Sequence, residues 1–373
     1  MKVIVAAAGT GGHINPGIAI ANKIKREIPD SEIIFIGTTR GIENDLVPRA
    51  GYQLKTIEAY GLSKKININS IKKNIKTLKS IKIAREIIKE IKPDIVIGTG
   101  GYICGPVIMA AKKEKVPTLL HESNAFPGLA VKLLSKKTDT ILVGFKEAKD
   151  NLPKAKNVVV TGTPTKIKKL EIDEKTKTSL KQKLGFKTDL PLVLVFGGSQ
   201  GAKKINDVLI SLIKNKLNTN YQIMWAPGPK NYDEVKNELN ENNISINNIE
   251  NVVITPYIYN MEEIMNIADL VVCRSGAITI TEIAKLGKPA IFVPLPNVSN
   301  NHQEKNARVL ENVEAAYIIL DSEITYKNLN ETIKKVVNNP EKIVEMGENA
   351  RKIDMPNVED RIYEEIIKTV SKQ

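Results

Sequence analysis

The sequence predicts an α/β protein of two doubly wound, parallel-sheet domains, and three observations carry that prediction. A short apolar run leading into a glycine-rich turn and then a helical pattern occurs four times. Further strand-like runs alternate with helix-length segments throughout, which is the rhythm of parallel sheets with helical crossovers. The 373 residues, 42% apolar and 26% charged, suffice for two such domains of ordinary size.

The first unit opens at residues 3–8, an apolar run that meets Gly9-Thr10-Gly11-Gly12. That run is too short for a signal peptide or a membrane span, so a cytosolic location is the expectation. Strand-like runs follow at 33–36, 95–97, 117–120, 140–143 and 157–160, with 95–97 entering Gly98-Thr99-Gly100-Gly101. Between the first two of these, residues 62–92 hold ten Lys or Arg against Glu86 and Glu90, a net +8 that is more than half of the chain's +13. Ile71, Ile75, Leu78, Ile81, Ile88 and Ile91 fall near one face of a helix there, which Pro93 ends. Such a basic amphipathic helix is either a solvated lysine-rich surface packed on a core or a face for a polyanion, an anionic membrane or nucleic acid. A membrane role needs exposed apolar residues as well, for which Leu62, Ile66 and Ile68 are the candidates.

The domain break is expected near 162–190, where Thr161-Gly162-Thr163-Pro164 gives way to a polar, lysine-rich stretch. Residues 192–196 then enter Gly197-Gly198-Ser199-Gln200-Gly201, and 270–273 enter Arg274-Ser275-Gly276, with further strand-like runs at 252–254 and 289–293. Each half has about the size of a Rossmann-like domain. Residues 358–370, after Pro356, read as a short amphipathic helix.

Glycine turns after strands let backbone N–H groups approach phosphate oxygens, and the following helix adds its positive end, so four such turns suggest a phosphorylated ligand. Neither of the first two completes the dinucleotide fingerprint, because Ile14 and Ile103 occupy the third glycine position, and Gly287-Lys288 runs into Pro289 rather than the Ser or Thr of a P-loop. A dehydrogenase and an ATPase are therefore disfavoured. No two aspartates stand two residues apart, so the Asp-x-Asp arrangement that holds a divalent metal on a nucleotide sugar is missing. A diphosphate site here would rely on amides, helix dipoles and hydroxyls such as Ser199, and neither a metal nor a cofactor is expected. Cys104 and Cys273 lie far apart in apolar segments and read as inert core thiols of a reducing compartment.

Three histidines are present. His13 follows the first glycine turn at a helix start, where an imidazole tends to stay neutral and can serve as general base. His121 ends an apolar run and is at least as well read as a satisfied structural histidine; His302 suits a capping or surface role. Glu282, six residues after Gly276, is placed either to accept hydrogen bonds from both hydroxyls of a ribose or simply to complement a helix N-terminus.

In combination, Ala8-Gly9-Thr10-Gly11-Gly12-His13, Gly98-Thr99-Gly100-Gly101-Tyr102, His121-Glu122-Ser123-Asn124-Ala125 and Gly197-Gly198-Ser199-Gln200-Gly201-Ala202 resemble the MurG glycosyltransferase family. So do Cys273-Arg274-Ser275-Gly276-Ala277 with Thr281-Glu282, and Asn301-His302-Gln303-Glu304-Lys305-Asn306-Ala307. Six motifs in order across residues 8–307 make the resemblance specific, and it covers nearly the whole chain. It implies a GT-B fold, two Rossmann-like domains with a cleft between them: an acceptor domain over residues 1–162, with a C-terminal helix at about 357–371 packing back on it, and a donor domain over 163–350. It further implies an inverting hexosyltransferase that moves N-acetylglucosamine from UDP-N-acetylglucosamine to the 4-hydroxyl of the muramoyl sugar of undecaprenyl-pyrophosphoryl-N-acetylmuramoyl-pentapeptide, converting lipid I to lipid II. The implied setting is the cytoplasmic face of the bacterial membrane, with the anionic surface met by the basic stretch, no nucleic acid, and cell-wall synthesis or division proteins as conceivable partners.

Carried over by motif, the resemblance places Ser199 at the donor diphosphate, Ile258 beside the uracil, and Ala277, Ile278, Thr279, Ile280 and Thr281 around the nucleotide. Glu282 would bind the ribose and Gln303 the sugar, with Thr10, Gly11, Gly12 and Asn124 closing on the N-acetylglucosamine. Gly100, Gly101 and Tyr102 would face the acceptor pyrophosphate. His13 is the candidate base, with Glu122 as the alternative proton acceptor if His13 only orients substrate. Three departures stand out: Ala8 for the family's first glycine, Ser123 where glutamine is common, and Gly162-Thr163-Pro164-Thr165-Lys166 where the family reads Gly-Asn-Pro followed by arginine. The donor contact of that last loop passes to Lys166, which keeps the charge but not the bidentate fork.

Two rivals differ in class. A UDP-N-acetylglucosamine 2-epimerase shares the two-domain fold and the donor nucleotide but needs no lipid acceptor. A nucleic-acid binder would explain the charge, yet 5% aromatics supply few stacking platforms and no recognition module is present.

Overall fold

The computed structural model describes residues 1–60, 68–198 and 201–372, without the side chains of 68–75, 78 and 299. It comprises two compact units, Met1–Lys166 with Met355–Gln373, and Ile167–Asp354. The first contains β1 (Lys2–Ala7), α1 (Gly11–Glu27), β2 (Glu32–Gly37), α2 (Glu43–Arg49), β3 (Gln53–Thr56), α3 (Ile68–Ile91), β4 (Ile95–Gly100), α4 (Cys104–Lys113), β5 (Thr118–Glu122), α5 (Leu129–Leu134), β6 (Thr140–Val143), α6 (Lys146–Asp150) and β7 (Val158–Val160). The second contains α7 (Glu174–Lys183), β8 (Leu192–Phe196), α8 (Lys203–Lys214), β9 (Gln222–Ala226), α9 (Tyr232–Glu241), β10 (Val252–Ile254), α10 (Met261–Ile267), β11 (Leu270–Cys273), α11 (Ala277–Leu286), β12 (Ala290–Phe292), α12 (His302–Glu311), β13 (Ala316–Ile318), α13 (Tyr326–Val337) and α14 (Pro340–Arg351). The chain then returns to the first unit as α15 (Val358–Ser371).

Both sheets are parallel, in the order β3-β2-β1-β4-β5-β6-β7 and β10-β9-β8-β11-β12-β13. The central strands are near-continuous Val, Ile and Leu because both faces are covered. In the first unit, Ile4, Val96, Leu120 and Ile141 pack under Ala84 and Ile88 of α3 and Val107 and Ile108 of α4. On the other face, Val3, Val5 and Ile97 meet Ile14, Ile18 and Ala21 of α1 together with Ile362 and Ile366 of α15. Lys23 pairs with Asp360 at 2.5 Å, Arg26 pairs with Glu359, and Thr369 Oγ1 donates to Thr140 Oγ1 at 2.9 Å, so α15 is fixed to α1 and β6.

The basic helix α3 behaves over its described part as a core helix with a charged outer face. Ala84, Ile88 and Ile91 are buried and Ile81 half-buried, while Lys79, Lys82 and Lys89 are exposed. The side chains of Ile71, Ile75, Leu78 and Ile68, and residues Leu62 and Ile66 altogether, lie outside the described residues.

The linker of residues 161–166 stays with the first unit for a local reason. Thr161 and Gly162 N–H groups both donate to Val143 O, at 3.1 and 3.3 Å, and Thr163 is buried beside Gly144. The second unit takes over at once, with Lys168 N–H donating to Glu262 at 2.6 Å and Leu170 N–H to Asn266 at 3.0 Å. Each sheet reverses its order once, between β1 and β4 in the first unit and between β8 and β11 in the second. Outside the carboxyl ends of those strand pairs lies the crevice where open α/β sheets bind ligands.

Candidate active site

All four glycine loops sit at these two reversals. In the first unit, the loop after β1 and the loop after β4 interlock. Thr10 precedes α1 in extended conformation with no side-chain cap on the helix, and Gly9, at φ +98°, turns the chain into it. The partly exposed Gly11 and the exposed Thr10 and Gly12 form the open rim. His13 is half-buried, with Nδ1 3.0 Å from Ala8 O and its own carbonyl accepting from Thr99 Oγ1 at 2.8 Å. A carbonyl only accepts, so Nδ1 carries the proton and, in the neutral ring, Nε2 keeps its lone pair.

Gly100 and Gly101 form the wall behind that imidazole. Gly100, at φ +139°, leaves the space a Cβ would take to the His13 ring, and Gly101, at φ +81°, leaves the corresponding space to Ala8 O. Tyr102 is 47% exposed. Cys104 follows, buried, with its thiol pushed up to about 12 by burial and facing Gly100 O at 3.3 Å, an inert core thiol.

Glu122 is buried and accepts from Asn124 N–H at 2.9 Å, Asn124 Nδ2 at 2.8 Å and Gly128 N–H at 2.7 Å. Three donors on one carboxylate make it the clamp of the loop that presents Asn124. His121 is a buried structural group: Nε2–H donates to Gly162 O at 3.0 Å, and Nδ1 faces the Ser123 hydroxyl at 3.4 Å. Ser123, a departure from the family pattern, thus supplies a partner that a buried imidazole nitrogen needs.

Burial pushes His121 down to about 4, against the Gly162 bond, which acts upward. Between there and its ordinary value of 6.5 the unfolded chain binds the extra proton, so this contribution to stability is complete above pH 6.5 and is lost as the pH falls toward 4. Wild type will therefore lose on the order of 2 kcal/mol between pH 7 and pH 5 that His121→Gln does not lose, read as the change in urea midpoint at the two pH values.

In the second unit, Gly197 and Gly201 are forced by neighbours: a Cβ on either would overlap Ala202 or Asn231 and Pro227. Ser199 and Gln200 lie outside the described residues. Gly276 starts α11 in extended conformation, again with no side-chain cap. Ala277, Ile278, Thr279, Thr281 and Glu282 are partly exposed on its first turns and Ile280 is buried, so this uncapped N-terminus offers backbone N–H groups to an anion. Thr281 Oγ1 donates back to Ala277 O at 3.0 Å. Burial, and with it the negative charge of Glu282, raises the Cys273 thiol, leaving it inert.

Arg274 is held away from ligand duty: its Nη1 donates to Val293 O at 3.0 Å and Pro294 O at 3.2 Å and pairs with Asp321 at 2.5 Å, bracing the ends of β12 and β13. Ile258 is buried, while the adjacent Tyr257 and Tyr259 rings are exposed and meet edge to face at 5.0 Å. Gln303 Oε1 accepts from Leu295 N–H at 2.9 Å, which leaves its Nε2 as a donor for a sugar hydroxyl. His302 is the first residue of α12, and Lys166 is exposed at the end of the first unit.

One residue with no distinct sequence signal stands out. Glu43, at the start of α2, is fully buried, and its carboxylate accepts from Gly9 N–H at 3.1 Å, Thr38 N–H at 2.9 Å and Thr38 Oγ1 at 2.6 Å. Gly37 and Gly41 leave the room it fills. An acid flanked by glycines two and six residues earlier is the only hint the sequence holds.

Two Rossmann-like units, each with glycine loops and an uncapped helix start at its sheet reversal, make up a GT-B fold whose loops are built to bind anionic groups. The chain matches the glycosyltransferase family 28 N-terminal domain over residues 3–143 and the glycosyltransferase family 28 C-terminal domain over residues 192–362, and it belongs to that family, within its MurG group. A UDP-N-acetylglucosamine--N-acetylmuramyl-(pentapeptide) pyrophosphoryl-undecaprenol N-acetylglucosamine transferase from Acetivibrio thermocellus is 44% identical over 100% of this chain and 99% of its own length. The transferase of the same description from a Thermoanaerobacter species is 42% identical over 100% of both. Among solved structures, Acinetobacter baumannii MurG superposes with a TM-score of 0.78 at 29% identity, covering 98% of this chain and 99% of that one.

Proposed function

We propose that the chain transfers N-acetylglucosamine from UDP-N-acetylglucosamine to the muramoyl 4-hydroxyl of undecaprenyl-pyrophosphoryl-N-acetylmuramoyl-pentapeptide. The observation that carries this is end-to-end identity above 40% to transferases of that description, which also sets the 2-epimerase alternative aside. The reaction is a single inverting displacement. The acceptor oxygen forms the new bond to the anomeric carbon, the bond from that carbon to the β-phosphate oxygen breaks, and UDP leaves with the electron pair. The hydroxyl proton passes to His13 Nε2, the nitrogen whose lone pair the Nδ1 bond to Ala8 O preserves.

The leaving diphosphate is met by the start of α11 and the Gly197 to Gly201 loop, which need no rearrangement as charge develops. Glu282 takes the ribose and Gln303 donates to the sugar; the motifs carried by Thr10 to Gly12, Asn124 and Lys166 assign these residues to the donor as well. Gly100, Gly101 and Tyr102 face the acceptor pyrophosphate. On this reading the basic face of α3 meets an anionic cytoplasmic membrane surface, each lysine near it contributing about 1 kcal/mol. No helix among the described residues is long and apolar enough to cross a membrane.

The donor assignment is tested by Glu282→Ala. Losing hydrogen bonds to a charged acceptor raises KM for UDP-N-acetylglucosamine about 10- to 100-fold, with a smaller change in kcat. Varying the donor concentration in a lipid I transfer assay measures it, and an unchanged KM would return Glu282 to the role of a helix-end acid.

A further inference from the structure

The Glu43 carboxylate and the His13 imidazole sit on opposite ends of one peptide group. Glu43 accepts from Gly9 N–H at 3.1 Å, and the carbonyl of that same peptide, Ala8 C=O, accepts from His13 Nδ1–H at 3.0 Å. From this we infer that Glu43 is a positioning residue for His13, acting through the Ala8-Gly9 peptide. This rests on the reading of His13 as the base.

The physical argument is one of polarisation along a hydrogen-bonded chain. A carboxylate on the N–H side of an amide draws electron density toward the carbonyl oxygen, which makes that oxygen a stronger acceptor for Nδ1–H. The bond then strengthens further when Nε2 takes the acceptor's proton and the ring becomes cationic, so the transition state gains more than the ground state. The arrangement does with an intervening peptide what a carboxylate does directly on the imidazole of a Ser-His-Asp triad.

The surroundings are built for the charged form of Glu43. Burial pushes its carboxyl up, but the bonds from Thr38 and Gly9 outweigh this and hold it below the usual carboxylate range. Gly41 and Gly37 admit its side chain, and Gly101 admits Ala8 O, so both ends of the peptide are seated against glycines. Cys104 and Glu122, on neighbouring elements, are engaged with partners of their own. The Cys104 thiol faces Ala6 O at 3.4 Å and Gly100 O at 3.3 Å, and Glu122 is saturated by its own loop.

With three histidines in the chain, imidazole resonances can be assigned by single substitutions and the His13 Nδ1–H followed by NMR in the free protein. Glu43→Gln will weaken the His13 Nδ1–H bond to Ala8 O, read as an upfield move of the Nδ1–H proton resonance, because the negative charge that polarises the Ala8-Gly9 peptide is gone. It will lower kcat for transfer about 10-fold while leaving KM for UDP-N-acetylglucosamine in place. An unmoved His13 Nδ1–H resonance in a folded Glu43→Gln protein overturns the inference, even if activity falls, since a purely structural role would cut activity without touching the imidazole. Wild type supplies a second test should the variant not fold: the neutral His13 must carry its proton on Nδ1, and an Nε2–H tautomer in the nitrogen spectrum contradicts the relay. Failure of the base reading itself is distinguishable, because His13→Ala would then retain kcat whatever the Nδ1–H resonance shows.

Discussion

His13→Ala will lower kcat for sugar transfer by about 10²- to 10⁴-fold, the usual contribution of a positioned general base. The donor KM will hardly move, because the uncapped start of α11 and Glu282 belong to the other unit. The size of the effect follows from the tautomer. Ala8 O fixes the proton on Nδ1, and Thr99 Oγ1 fixes the His13 backbone, so Nε2 is presented as an acceptor without any rearrangement of the loop. Among the described residues of this loop cluster, Glu122 has three donors on it, and Glu43 is fully buried on Gly9 and Thr38. Single-turnover transfer separates the chemical step from release, and a loss of less than threefold would remove the base role.

Gly101→Ala will be nearly as damaging, although it removes no functional group. The residue sits at φ +81°, where an L side chain costs about 1–2 kcal/mol, and its new Cβ would overlap Ala8 O, a backbone atom with no rotamer to escape by. That oxygen is the acceptor of His13 Nδ1–H, so relief of the overlap moves the base. A displacement of about 1 Å costs on the order of 10²-fold in rate. The expected result is a fall in kcat of that size with UDP affinity retained, measured by calorimetric titration. Gly105→Ala is the control. Nothing lies within 4 Å of a Cβ there, its φ is negative, and it stands inside α4, so activity should stay near wild type.

How far such a site is legible in a sequence depends on whether its constraint is local. Glycine loops at 9–12, 98–101 and 197–201 announce themselves because the backbone geometry there excludes side chains, and the strands feeding them are unbroken apolar runs. Three strands carry no such signature. β3 is an edge strand of Gln-Leu-Lys-Thr, and β13 has three residues at the other sheet's edge. β9 is central yet reads Gln-Ile-Met-Trp-Ala, poor in β-branched residues, and its polar start is explained only by the fold. Gln222 is buried and bonds Lys187 N–H and the carbonyls of Lys187 and Leu190, stitching the segment before β8 to the sheet. Glu43 was invisible for the same reason. Its partners at Gly9 and Thr38 come together through sheet topology, and nothing in the spacing of residues 9, 38 and 43 announces it.

Arg274 shows the converse. Its place in a glycine-bearing motif invites a phosphate contact, whereas the structure gives its guanidinium to Val293, Pro294 and Asp321. Motif membership located the loop, and only the side chain's partners told which of its residues hold the loop and which face a ligand.

The central claim is tested most directly by following labelled N-acetylglucosamine from its UDP donor to a lipid I analogue. The account predicts acceptor-dependent transfer by wild type, with inversion at the anomeric carbon, and loss of that transfer in His13→Ala. Interconversion of the free UDP-sugar with no label reaching the acceptor would contradict it.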